Sequence, residues 1–280
     1  MRNKVILVLI LLLAAFLRLY NLGGNPPSLY GDEQAFAWNA WNILKTGQDE
    51  YGNFLPLQFK SFNDYKSPVP VYLLVPFLKV FGLNTWSIRL PVALAGIIAV
   101  LLTYLLTRLF FNSSISLWTS FLLAISPWHT HLSRGFFEAT LALTFFIAAV
   151  YYFFKAKESP KSLIWSSIFF VITLYTYFTP RILIPIFIIF LLIYSRDWVF
   201  RVKNYLILFL AIIILFSLPL PKMAIFSKGA SRMQELMGMK KTKVEEIVNR
   251  ERYGSIAPKK IRVLMHNKGI IWARELKNIY

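Results

Sequence analysis

Residues 182–194, ILIPIFIIFLLIY, and 206–216, LILFLAIIILF, contain no charged side chain, and Tyr194 alone among them offers a polar side-chain atom. With 97–106, IIAVLLTYLL, they are longer and purer than a water-facing helix or strand tolerates. They belong to apolar runs that approach the bilayer's requirement of about 20 residues per span. The rest of the chain agrees. Of 280 residues 57% are hydrophobic and 17% aromatic, and mean hydropathy is +0.55. Only 16% are charged, against about a quarter in soluble domains. The expected fold is all-α, a polytopic transmembrane helical bundle.

Thirty-one Lys and Arg against thirteen Asp and Glu give a formal charge of +18. In a soluble chain that excess would suggest nucleic acid. Here much of it sits in short loops between apolar segments, where the positive-inside rule accounts for it, so no nucleic-acid partner is expected. The absence of cysteine excludes disulfides, thiolate catalysis and Cys-ligated metals.

The N-terminal MRNK followed by VILVLILLLAAF starts as a signal peptide does, but no small-residue cleavage site follows. An uncleaved first helix is expected, with Arg18 snorkelling to an interface. Segment 69–83, VPVYLLVPFLKVFGL, is short and holds Pro70, Pro76 and Lys79. If it crossed, the later basic loops would alternate sides. Read as interfacial or re-entrant, it puts Arg2, Lys4, Arg108, Lys155, Lys157, Lys161, Arg196, Arg201 and Lys203 on the cytoplasmic side together. About seven spans result, near 5–22, 86–107, 115–132, 137–154, 162–179, 181–195 and 203–220. Two regions follow. Residues 1–221 form the transmembrane domain, with a first exoplasmic loop at 23–85 containing amphipathic juxtamembrane helices; residues 222–280 form a polar, helical, exoplasmic tail. The chain reaches Tyr280 without a domain-ending signal, which reads as a truncated frame and the start of a further region.

This topology concentrates acids on the exoplasmic face. In SLYGDEQAFAWNAWNILKTG, Asp32 and Glu33 open a helix just beyond the first span. Acids there interact well with the helix dipole. Beside an apolar wall they also suit catalysis, because burial raises a carboxylate pKa. Lys66, in FNDYKSPVPVYL, either snorkels or holds a phosphate at the boundary as a compact point charge. Arg134 and Glu138, in SPWHTHLSRGFFEATLAL, are either an i,i+4 helix pair or an outer cluster whose arginine forks onto a phosphate. His129 and His131 would share a face in an extended loop and diverge on a helix; interfacial hydrogen bonding is the expected role and no metal site is predicted.

The order of these features resembles the polyprenyl-phosphate-dependent GT-C glycosyltransferases: a membrane helix, an outer Asp-Glu loop, aromatic surface helices, a Lys-Ser-Pro string and an outer Arg/acid cluster. The branch it resembles holds the protein O-mannosyltransferases and the aminoarabinose transferases of lipid A. The resemblance covers most of residues 1–220 and implies an integral plasma-membrane enzyme with a cytoplasmic N-terminus. Such an enzyme moves a sugar, with inversion, from a polyprenyl-phosphate carrier to a lipid, polysaccharide or protein acceptor on the exoplasmic face. It implies Asp32 as base or acceptor-orienting group, with Glu33 and Glu138 as further catalytic acids. Lys66 and Arg134 would bind the donor phosphate, and Asp64, Tyr65 and His131 would be additional site residues. Where aminoarabinose transferases have a metal-holding acid before the lysine, this chain has Tyr65, with Asp64 one residue further back; no metal or other cofactor is expected to be required. The rival class is a lipid or solute transporter or flippase, which would place ionisable residues at mid-membrane depth. The span centres here are nearly free of them.

Overall fold

The computed structural model describes residues 2–61 and 64–221, together with Arg250 and Tyr253. The chain divides between Pro219 and Leu220, and the elements below belong to the first unit. The polar tail expected over 222–280 lies outside the described residues, those two apart.

The fold is helical. In order come α1 (Arg2–Leu19), α2 (Gly31–Thr46), a hairpin of β1 (Phe59–Ser61) and β2 (Asp64–Lys66), α3 (Pro68–Phe81), α4 (Thr85–Arg108), α5 (Ser113–Ile125) and α6 (Pro127–Arg134). Then follow α7 (Glu138–Lys155), α8 (Ser162–Leu174), α9 (Pro180–Tyr194) and α10 (Arg196–Val199). A 3-10 turn at Phe200–Val202 leads into α11 (Lys203–Ser217). Among the described residues three helical stretches are long and apolar enough to cross a membrane, Thr85–Arg108, Glu138–Lys155 and Arg196–Pro221. The other expected spans are represented by shorter helices, or by α1, which holds Arg2, Lys4 and Arg18. At 14 residues, α3 rises about 21 Å, short of the roughly 30 Å hydrocarbon core.

The expected third span, 115–132, is two helices. Ser126 is extended at φ −56°, ψ 119°, as a residue before proline prefers, and its hydroxyl accepts from His129 N at 3.4 Å to start α6. Pro127 supplies no N–H for continuing α5.

Helix α4 is the central column. On one side Ile88, Val92 and Ala95 pack with Phe36, Ala37, Ala40 and Ile43 of α2 and with Val71, Leu74 and Leu78 of α3. Further along, Val100 meets Ile10 and Ala14 of α1 and Leu117 and Ala124 of α5. Small residues set the close approaches, as they do where lipid tails provide no drive for burial. At Gly96 an added Cβ would run into Ser133 and come within 3.1 Å of Arg18 Nε. Between α7 and α4, Thr144 Oγ1 donates to Ala95 O at 3.0 Å; between α8 and α7, Ser166 Oγ donates to Ala149 O at 2.8 Å. Large apolar side chains such as Leu9, Leu12, Phe16, Ile186, Ile189 and Ile193 face outward, which is the pattern of a bundle solvated by lipid. This is a membrane protein.

Two arginines close helix ends. The terminal carbonyls of a helix have no intrahelical donor, and in an apolar medium they must find one. Arg18 is fully buried; it does not snorkel as its sequence position suggests, but crosses to the end of α5. Its guanidinium donates to Ala124 O at 3.0 Å and Leu123 O at 3.4 Å, and its NH2 lies 2.7 Å from His129 Nδ1. Arg134 does the same for α1, donating to Leu17 O at 2.8 Å, Tyr20 O at 2.8 Å and Asn21 O at 3.3 Å, then to Asn25 O at 2.9 Å.

Candidate active site

The site is assembled where α1 ends and α2 and α4 begin. Gly31, Asp32 and Glu33 form the first turn of α2, and the two adjacent carboxylates turn to different environments. Glu33 is fully buried. Its Oε1 accepts from Arg89 Nε at 3.0 Å and from Phe136 N at 2.8 Å; its Oε2 accepts from Arg89 NH2 at 3.1 Å and from Tyr30 N at 3.2 Å. Four donors therefore occupy the approximately four lone-pair sites a carboxylate offers. Arg89, itself fully buried at the fifth residue of α4, also donates to the carbonyls of Leu22, Pro26 and Ser28 at 3.3, 2.6 and 2.8 Å. One ion pair thus ties the loop after α1, the start of α2, the start of α4 and the α6–α7 junction together.

Asp32 faces the hairpin. Lys66 Nζ lies 2.5 Å from Asp32 Oδ1 and 2.9 Å from Asp64 Oδ2. The lysine side chain is 3% exposed while the aspartates are 41% and 36% exposed, so the cation is sunk behind two carboxylates that reach the surface. Strand geometry explains why Asp64 and not Tyr65 joins it: alternate residues share a face, and Tyr65 sits between them, opposite Lys60 in the register. Burial pulls the Lys66 pKa down, but the hydrogen bonds and charges of Asp32 and Asp64 outweigh it, and the net shift is upward. The ammonium sits between the two carboxylates and offsets one of their two charges, so the triad keeps a net charge of −1.

Tyr30, at the N-cap of α2, stacks on Phe137 at 4.8 Å and donates its hydroxyl to Phe136 O at 2.6 Å. Burial first, then the charges of Glu138, Glu33 and Asp32, push its phenol well above the usual range, so it stays a donor. Glu138 is half-buried at the first residue of α7, where the helix dipole favours a carboxylate. Arg134 ends α6 and Glu138 begins α7, so the two do not stand one helical turn apart. His131 is exposed with its ring 6.3 Å from Phe137, whereas His129 is buried against Arg18; the pair diverges as helical residues do.

A second cation approaches from the far side. Arg181, in the first turn of α9, sends NH2 to Ser67 Oγ at 3.1 Å and Nε to Leu174 O at 3.1 Å. Ser67 is the neighbour of Lys66, and Val69 N donates to Tyr175 O at 3.2 Å, so the start of α3 is fastened to the α8–α9 loop. From there a groove of about 650 Å³ runs between α7 and α9, lined by Ala142, Leu143, Phe146, Leu183, Phe187 and Phe190 among others. Its lining includes Ala139 and Pro180, the chain neighbours of Glu138 and Arg181.

A family profile for dolichyl-phosphate-mannose-protein mannosyltransferases matches residues 65–220, more than half of the chain. The chain belongs to this family. The matched segment carries Lys66, Arg89, Arg134, Glu138 and Arg181; Asp32 and Glu33 precede it. Three curated relatives place the mannosyltransferase-family chain further. The Bacillus subtilis (strain 168) protein named "Putative mannosyltransferase YkcB" is 31% identical over 172 residues, 60% of this chain and 23% of that protein. A second protein of that organism, named "Putative mannosyltransferase YycA", is 26% identical over 199 residues, 68% of this chain and 27% of that protein. An uncharacterized Aquifex aeolicus (strain VF5) protein is 31% identical over 164 residues, 56% of this chain and 31% of that protein. The chain thus spans between 23% and 31% of these relatives' lengths. No solved structure matches it significantly.

Arg89 and Arg181 are the site residues that sequence reasoning missed. Each is a lone cation near the start of an apolar helix, TWSIRLPV and TPRILIP. A charge so placed is costly unless paired, and that cost was the available signal.

Proposed function

We propose that the chain forms the donor-binding part of a glycosyltransferase that moves mannose, the sugar in the family's description, from a polyprenyl-phosphate carrier to an acceptor hydroxyl on the exoplasmic side, with inversion. The observation that carries this reading is the buried Lys66 held between Asp32 and Asp64, next in the chain to Ser67, whose hydroxyl accepts from Arg181, the neighbour of the groove-lining Pro180. A polyprenyl tail is matched by the α7–α9 groove, and its phosphate by the cations Arg181, next in the chain to the groove-lining Pro180, and Lys66, next to Ser67. The topology that goes with it has about seven crossings, the shorter helices being extended by their flanking turns, and a cytoplasmic N-terminus.

The chemistry follows from the charges. An acceptor oxygen attacks the anomeric carbon, the carbon–oxygen bond to phosphate breaks with its electron pair going to the phosphate, and the acceptor's proton passes to Asp32. As negative charge grows on the leaving phosphate, Lys66 is drawn toward it, which stabilises the leaving group and frees Asp32 Oδ1 to take the acceptor's proton. Glu33, saturated by four donors, acts as a positioning residue that fixes the first turn of α2. Arg134, engaged on the carbonyls ending α1, has the same kind of role, and Glu138 bears on the site through its charge. Tyr65 and His131 border it.

The test is equilibrium binding of polyprenyl-phosphate mannose followed by transfer. Lys66→Ala loses binding, whereas Asp32→Asn binds as the parent does but transfers about 10²- to 10⁴-fold more slowly. Undiminished transfer by Asp32→Asn removes it as the base, and undiminished binding by a folded Lys66→Ala removes the phosphate site.

A further inference from the structure

Between α2 and β1 the chain builds a tip that is rigid and apolar at once. Gly47 leaves the helix at φ 72° and Gly52 turns at φ 85°. Asp49, 5% exposed, accepts from Tyr51 N at 2.9 Å, Asn53 N at 2.8 Å and Asn53 Nδ2 at 2.8 Å. Leu55 N donates to Gly47 O at 3.0 Å, and Tyr72 Oη from α3 donates to Pro56 O at 2.8 Å. Leu55 sits at φ 39°, a conformation that a branched side chain adopts only when its surroundings impose it. What this scaffold holds outward is apolar. Tyr51 is 57%, Phe54 71%, Leu55 50% and Leu57 54% exposed.

The charges around the tip are cationic where they face out. Lys45 Nζ lies 4.6 Å from the Trp41 ring and Lys60 Nζ 5.4 Å from the Tyr51 ring. Of the acids in the tip, Asp49 is consumed internally, and Glu50 has its Oε1 buried and its N–H on Asn39 Oδ1 at 3.2 Å. Aromatic bodies with an ammonium riding over them suit the boundary between acyl chains and phosphates. The tip is tied to that boundary by α3, an apolar helix of 14 residues whose Tyr72 holds Pro56.

We propose that residues 51–57 form a membrane wedge: Tyr51, Phe54, Leu55 and Leu57 insert into the outer leaflet while Lys45 and Lys60 meet anionic lipid phosphates. The wedge sets the depth of the hairpin, and with it the level of Lys66 in the interface. It does not depend on what Lys66 binds.

The chain has no cysteine, so single labels are clean. Phe54→Cys and, as a second position, Leu57→Cys are tagged with an environment-sensitive fluorophore in the full chain. Each is reconstituted in nanodiscs of phosphatidylcholine and phosphatidylglycerol, with lipids spin-labelled at shallow or deep acyl positions. Ser159→Cys, exposed in the α7–α8 loop, is the aqueous control. The wedge predicts blue-shifted emission at 54 and 57, quenched most by the shallow spin label, with Ser159→Cys unshifted. Replacing Lys45 and Lys60 by glutamate reduces that quenching in anionic discs. Water-like emission at 54 and 57 overturns the proposal. So does a blue shift that no spin-labelled lipid quenches, since the tip is then covered by protein, from a further part of the polypeptide or a second copy.

Discussion

Replacing Arg89 by methionine removes the cation from the most connected ion pair among the described residues while keeping much of its apolar volume. Glu33 would be left fully buried, with two of its four donors gone. Breaking a buried pair on one side costs about 3–5 kcal/mol, because the surviving charge is uncompensated. The carbonyls of Leu22, Pro26 and Ser28 also lose their donor, at about 1–3 kcal/mol for each that water cannot reach. Taking the charge cost alone, at about 2–4 °C per kcal/mol for a domain of this size, the melting temperature falls by about 6–20 °C. Tryptophan fluorescence reports the transition in detergent, since the chain holds eight tryptophans. The diagnostic comparison is Arg89→Met with Glu33→Gln, singly and together. With both charges gone no uncompensated ion remains, so the double variant is less destabilised than the sum of the singles by up to about 3 kcal/mol; the carbonyl cost is not recovered. Strict additivity, or an Arg89→Met melting point within a degree or two of the parent, would refute the reasoning that this pair organises the site.

Two further outcomes follow from particular side chains. The Lys66 pKa is raised in the folded chain, so its contribution to stability is complete below the ordinary lysine value of about 10.4 and is lost as pH rises through the higher folded value. Donor affinity and melting temperature should therefore show no lysine-linked fall between about pH 7 and 10; a midpoint below the ordinary lysine value would contradict the ion triad. Arg134→Ala unfastens the end of α1 and lowers the melting temperature without weakening donor binding. Loss of affinity at unchanged stability would return Arg134 to the phosphate.

Much of this was legible in the chain itself, and the limits have physical causes. Apolar runs announce helices whatever they pack against, so the helical membrane fold was readable from 97–106, 182–194 and 206–216 alone. Asp32, Glu33 and Lys66 stood out because polar groups at the edge of apolar segments are conspicuous. Their division of labour was not visible. Glu33 is sated by Arg89, 56 residues away, and Arg181 meets Ser67 across 114 residues, separations that no local pattern encodes. Arg18 looked like a snorkelling residue because its partners, the last carbonyls of α5, are backbone atoms that carry no sequence signature. The break at Ser126–Pro127 was encoded locally, by the proline, in a segment whose hydropathy concealed it.

The most direct test of the account asks where the donor's tail lies. Two apolar grooves stand out among the described residues. One, of about 650 Å³, runs between α7 and α9 beside Glu138 and Arg181. The other, of about 520 Å³, lies between α1 and α5 and is lined by Arg2 and Ser114, toward the end of α1 away from Lys66. A polyprenyl phosphate bearing a photoactivatable group on its isoprenoid chain, cross-linked to the full chain and mapped by mass spectrometry, distinguishes them. The account predicts labelling at Leu143, Phe146, Leu183 or Phe187 that disappears in Lys66→Ala. Labelling of Leu13, Leu117 or Phe121 that is indifferent to Lys66 would contradict it.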